Sequence, residues 1–81
     1  MHILYSKSAV KTISAMDSKT KQRIKDAIED IPQGDIKPLR GSNMLYRLRV
    51  GSWRIVFSYP DDRSVLIAKI APRGGVYKGG L

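Results

Sequence analysis

The chain has 81 residues, 42% hydrophobic and 27% charged, which is the composition of one small globular domain. It holds no cysteine and one histidine, His2, which excludes disulfides, thiol nucleophiles and cysteine- or histidine-rich metal sites. Fifteen lysines and arginines against seven acids leave a net charge of +8, and a field of that size favours a polyanion or an acidic protein partner.

The charge is unevenly spread. Residues 1–39 carry seven basic and five acidic residues, and six of those bases are lysine. Residues 40–81 carry eight basic and two acidic residues, and six of those bases are arginine. Arginine suits sites where phosphate is gripped in a planar, two-pronged geometry. No apolar run approaches the ~20 residues that cross a bilayer. The first ten residues lack the apolar centre of a signal peptide. One domain over residues 1–81, soluble and cytoplasmic, is the expectation.

Residues 2–6 (HILYS) read as a short strand, with Ser6 or Ser8 able to cap a helix beginning there. Ala9, Val10, Ile13 and Met16 then fall at helical spacing. Asp17 or Ser18 is a second cap and divides this region into two helices. Ile24, Ala27, Ile28 and Ile31 sit at i, i+3, i+4 and i+7, the clearest helix signal in the chain. Pro32, Gly34 and Pro38 mark a loop.

From Met44 the period changes to two. Tyr46, Leu48 and Val50 point one way; Leu45, Arg47 and Arg49 point the other. Gly51-Ser52 is a turn signal. Trp53, Ile55, Phe57 and Tyr59 alternate with Arg54, Val56 and Ser58. Pro60, Asp61 and Asp62 form a second turn, and residues 64–70 a third strand. Residues 76–78 suggest a short extended piece before a mobile 79–81 tail. The order predicts an α+β fold: an N-terminal strand and a two-helix hairpin packed on one face of an antiparallel sheet. The helical stripe should meet Leu48, Val50, Ile55 and Phe57, leaving the other sheet face open.

That open face is where the chemistry is expected. Arg47 and Arg49 share it, Arg54 opposes them across the hairpin, and Arg73 follows the next strand. Four guanidinium groups repel one another until a phosphate backbone lies between them. Alternating arginines also serve solubility and edge protection, but acidic partners are missing from the same segment. Tyr46, Trp53, Phe57 and Tyr59 read as core or edge packing. Tyr77, after a glycine pair in a basic segment, suits stacking on a base. Arg40, Lys69 and Lys78 are further candidate phosphate contacts, Lys69 serving equally as an ordinary edge charge. His2 has no special role, and Asp61 and Asp62 are a turn rather than a catalytic carboxylate pair. Neither metal nor cofactor is expected.

Three runs carry a family resemblance. They are Leu39-Arg40-Gly41, then Tyr46-Arg47-Leu48-Arg49-Val50-Gly51-Ser52-Trp53-Arg54-Ile55-Val56-Phe57, then Ile70 through Arg73-Gly74 to Val76-Tyr77-Lys78. Together they resemble the RelE branch of the RelE/ParE toxins, over nearly the whole chain. The resemblance implies a small endoribonuclease from a toxin–antitoxin pair, cutting messenger RNA in the ribosomal A site. A cognate antitoxin protein would wrap and silence it. Cleavage of this kind is attack by the ribose 2′-OH on the adjacent phosphate, leaving a 2′,3′-cyclic phosphate. By position, Arg47 and Arg49 match the basic pair of the active-site strand. Arg54 matches the transition-state stabiliser, Arg73 the proton donor or leaving-group stabiliser, and Tyr77 the aromatic that orients substrate.

The chain departs from the pattern at three places. Arg49 stands where some members carry lysine, and arginine, with a pKa above about 12, is a poor base. Pro72 stands where many have histidine, and Gly75 where many have aspartate. Electrostatic stabilisation and substrate positioning are therefore expected to dominate. Two other readings share the fold: a ParE-like inhibitor of DNA gyrase without nuclease activity, and an inactive regulatory module that binds its antitoxin and DNA.

Overall fold

The computed structural model describes residues 1–39, 41 and 44–72. In chain order the elements are β1 (His2–Tyr5), α1 (Lys7–Ser14), α2 (Ser18–Glu29), β2 (Asp35–Pro38), β3 (Tyr46–Val50), β4 (Trp53–Asp61) and β5 (Ser64–Pro72). The five strands form one sheet in the order β1-β5-β4-β3-β2. The α+β class is as expected. The expected antiparallel meander, β3-β4-β5, forms the centre of the sheet. Two edge strands widen it. β1 pairs parallel to β5, so the sheet is mixed. β2, antiparallel to β3, occupies a segment whose prolines and glycine predict a loop.

Both helices start where the sequence places a cap. Ser6 Oγ accepts from the Ala9 N–H at 3.1 Å, and Asp17 Oδ2 accepts from the Thr20 N–H at 3.3 Å. Such caps satisfy donors that the first helical turn leaves without partners. Ser6 also donates its hydroxyl to the Ala68 carbonyl at 2.7 Å. Ala68 is the extra residue where the β4–β5 register shifts, since Val56 pairs with Lys69 but Phe57 pairs with Ile67. The bulge frees a carbonyl from the ladder, and the helix cap takes it.

Ile24, Ile28 and Ile31 pack against Leu48, Val50, Ile55 and Phe57 in one core, joined by Val65, Ile67 and Ile70 from β5. Full burial of an isoleucine stabilises by about 1.5–3 kcal/mol, so this stripe holds the helices on the sheet. Val10, read as part of the helical stripe, is instead half exposed, because α1 turns only Ala9 fully inward. Tyr46, Phe57 and Tyr59 form an aromatic cluster with ring centroids 5.4–5.7 Å apart.

Gly51 opens the β3–β4 turn with φ +60. A two-residue hairpin turn with glycine first needs that conformation. The second turn, expected at Pro60, Asp61 and Asp62, is formed by Asp62 and Arg63. β4 runs through Asp61, which pairs with Ser64, and its carboxylate accepts from the Arg63 N–H at 2.8 Å and from Ser64 Oγ at 3.1 Å. The far face of the sheet is not wholly open: Leu39, Val56 and Ala71 are buried there in a small second cluster with Leu45 and Ala68. The extended piece and tail expected over residues 76–81 lie outside the described residues.

Candidate functional site

The strand registers build two rows across the far face of the sheet. One runs Asp35, Arg49, Arg54, Ala71 from β2 to β5; the other runs Lys37, Arg47, Val56, Lys69. Directly paired residues share a face, so these side chains leave the sheet on the side away from the helices. With strands about 4.8 Å apart, each row spans roughly 14 Å. Val56 and Ala71, both buried, form an apolar floor among the cations.

Arg47, Arg49, Arg54 and Lys69 thus lie on one surface, in the arrangement that alternation suggested. Arg40, Arg73, Tyr77 and Lys78 lie outside the described residues. β2 adds two residues that sequence reasoning missed, Asp35 and Lys37. The signal was the alternation of residues 35–37 (DIK) around Ile36, masked by the flanking Gly34 and Pro38.

One expectation needs correction. Arg54 was expected to be exposed, yet only 6% of its surface is accessible. It sits on β4, the middle strand of the five. Its Nη1 donates to the Trp53 carbonyl at 3.3 Å, and its buried Nε has no hydrogen-bond partner among the described residues. Acidic partners are missing from the arginine-rich segment itself, as expected, but β2 brings one in from outside it: Asp35 Oδ1 lies 3.7 Å from Arg47 Nη2.

Chemically, this surface presents cationic donors that could meet an anion. A buried guanidinium with an unsatisfied donor is costly unless an acceptor meets it. An apolar floor lowers the local dielectric and strengthens any charge interaction made over it. Among the described residues, no group of three His, Asp or Glu side chains is placed to hold a metal ion. Nor is any helix there long and apolar enough to cross a membrane. A surface cavity of about 550 Å³ lies on the helix side between Met16, Trp53 and Ile70, away from the arginine rows.

Comparison with known proteins agrees with this architecture. The family model described as the ParE toxin of the type II toxin–antitoxin system parDE matches residues 3–77. A Methanocaldococcus jannaschii protein named as the putative toxin RelE1 is 32% identical over 80 residues, covering 89% of each chain. The RelB-RelE antitoxin-toxin complex from Methanococcus jannaschii matches with a TM-score of 0.73 at 26% identity, covering 91% of this chain and 94% of that one. The archaeal RelE-RelB complex from Pyrococcus horikoshii matches with a TM-score of 0.70 at 27% identity, covering 91% and 96%. The chain belongs to the RelE/ParE superfamily of toxins from type II toxin–antitoxin systems.

Proposed function

We propose that this toxin is a ribosome-dependent endoribonuclease that cuts messenger RNA in the A site and so inhibits translation in the cytoplasm. One observation carries the reading. Arg54 is buried on the same sheet face as its cross-strand partner Arg49, and its Nε finds no acceptor among the described residues. A phosphate in transit to a pentacoordinate state supplies the acceptor and the charge that this pair lacks.

In this mechanism the 2′-oxygen attacks the adjacent phosphorus and the bond to the 5′-oxygen breaks. The products are a 2′,3′-cyclic phosphate and a 5′-hydroxyl. Arg54 stabilises the charge that builds on the phosphate oxygens. Arg47 and Arg49 bind and orient the backbone. Arg73 stabilises or protonates the leaving oxygen, and Tyr77 stacks on or orients a base. Arg40, Lys69 and Lys78 extend the phosphate track. None of these steps calls for a cofactor or metal. DNA, lacking the 2′-OH, is inert to this chemistry. The solved relatives are RelB–RelE complexes, which supports a cognate antitoxin as protein partner, acidic or amphipathic to suit the +8 chain.

The test is to add purified protein to ribosomes translating a defined message and to map cuts by primer extension. Cuts within A-site codons, absent without ribosomes, support the reading. The parDE description of the matching family model favours a second reading, a gyrase inhibitor. No cuts, with supercoiling inhibited in a parallel gyrase assay, would favour it.

A further inference from the structure

The reaction needs an acceptor for the 2′-OH proton, and the arginines cannot serve, being protonated at neutral pH. The seven side-chain carboxylates are Asp17, Asp26, Glu29, Asp30, Asp35, Asp61 and Asp62. Asp17, Asp26, Glu29 and Asp30 belong to α2 or its caps, on the helix side. Asp61 and Asp62 lie at the β4–β5 turn. His2 pairs with Ser64 at that same end. Ser64 is seven residues along β5 from Ala71 in the Arg54 row, about 23 Å at strand rise. Residues 40, 42, 43 and 73–81 contain no carboxylate or imidazole side chain.

Asp35 alone is in register with the arginines. It is the direct partner of Arg49 and stands two strands, roughly 10 Å, from Arg54 in the same row. Its carboxylate is held toward Arg47 at 3.7 Å, a loose contact, and its side chain remains 49% exposed. The carboxylate is therefore only partly engaged and stays open to solvent.

Resting on the nuclease reading above, we infer that Asp35 is the general base. Its carboxylate takes the 2′-OH proton as the 2′-oxygen bonds to phosphorus. The departing 5′-oxygen takes a proton from solvent, and Asp35 returns its proton to water. Arg47 orients the carboxylate. Lys37, on the same strand and face, would bind the neighbouring phosphate.

The experiment compares single-turnover cleavage on programmed ribosomes by wild type, Asp35→Asn, Asp35→Glu and Asp35→Ala, with Asp30→Asn as a control. A general base contributes about 10²–10⁴-fold. Asp35→Asn is expected to lose that much in rate while binding ribosomes as wild type does. Asp35→Glu should retain part of the rate, added formate should partly restore Asp35→Ala, and Asp30→Asn should cut normally. Cleavage by Asp35→Asn at the wild-type rate overturns the inference alone. A rate loss matched by lost ribosome binding, with no rescue by formate, also overturns it and makes Asp35 a positioning residue for Arg47. Wild-type protein that cuts nothing overturns the nuclease reading together with this inference.

Discussion

Arg49 and Arg54 face each other directly across the β3–β4 hairpin, a like-charged pair at a position where sheets favour opposite charges. Arg49 is exposed, whereas Arg54 is buried with an unsatisfied Nε. A fold optimised for stability alone would place an apolar residue at position 54, since replacing a buried charge by an apolar side chain of similar size is often stabilising.

Arg54→Met keeps the aliphatic stem and removes the charge. It is expected to raise unfolding stability by about 1–3 kcal/mol in urea melts and to abolish growth arrest. Arg54→Ala is a poorer probe, because it also deletes the buried stem. A Met variant that is less stable than wild type, or that still arrests growth, contradicts the role assigned to this side chain.

Ser6 works twice, capping α1 and closing the carbonyl freed by the Ala68 bulge. Ser6→Ala should cost about 1–2 kcal/mol by thermal or chemical denaturation. Among the described residues its hydroxyl bonds only the backbone of α1 and β5 and no side chain of the arginine rows, so the folded variant should keep the wild-type cleavage pattern.

Ile28 is fully buried at the centre of the helix–sheet contact. Ile28→Ala should cost about 2–5 kcal/mol, a large share of the roughly 5–15 kcal/mol typical of a domain. Loss of toxicity in that variant should track loss of folded protein in cell extracts.

The Arg63 N–H, and then the Ser64 hydroxyl, hold the Asp61 carboxyl below its ordinary value of 3.8. Because the folded-state value is the lower one, the contribution is fully present above the unfolded value. It fades as pH falls through the folded value. The stability gap between wild type and Asp61→Asn should therefore be widest at neutral pH and shrink below pH 3.8. A gap that stays constant down to strongly acid pH would contradict the turn geometry.

Much of this fold is legible in the sequence because its signals are local. The period of Ile24, Ile28 and Ile31, the alternation through Arg47, Arg49 and Arg54, and the caps Ser6 and Asp17 each depend on neighbours a few residues away. What escapes is set by distant pairing. β2 is a four-residue edge strand between Gly34 and Leu39, and it becomes a strand only because β3 supplies its ladder. β1 pairs in parallel with β5, from His2 to Ser64, and no local pattern announces that. Alternation puts Arg54 on the correct face but says nothing of its burial, which depends on a central place in a five-stranded sheet. The contact of Asp35 with Arg47 is hidden for the same reason, since it depends on the unseen strand.

The most direct measurement uses ribosomes stalled with one codon in the A site, carrying either ribose or 2′-deoxyribose at the nucleotide before the cut. The ribose message should be cleaved to a 2′,3′-cyclic phosphate and a 5′-hydroxyl, and the 2′-deoxy message should remain intact. Equal cleavage of both, or of neither, would contradict 2′-OH attack over the arginine face.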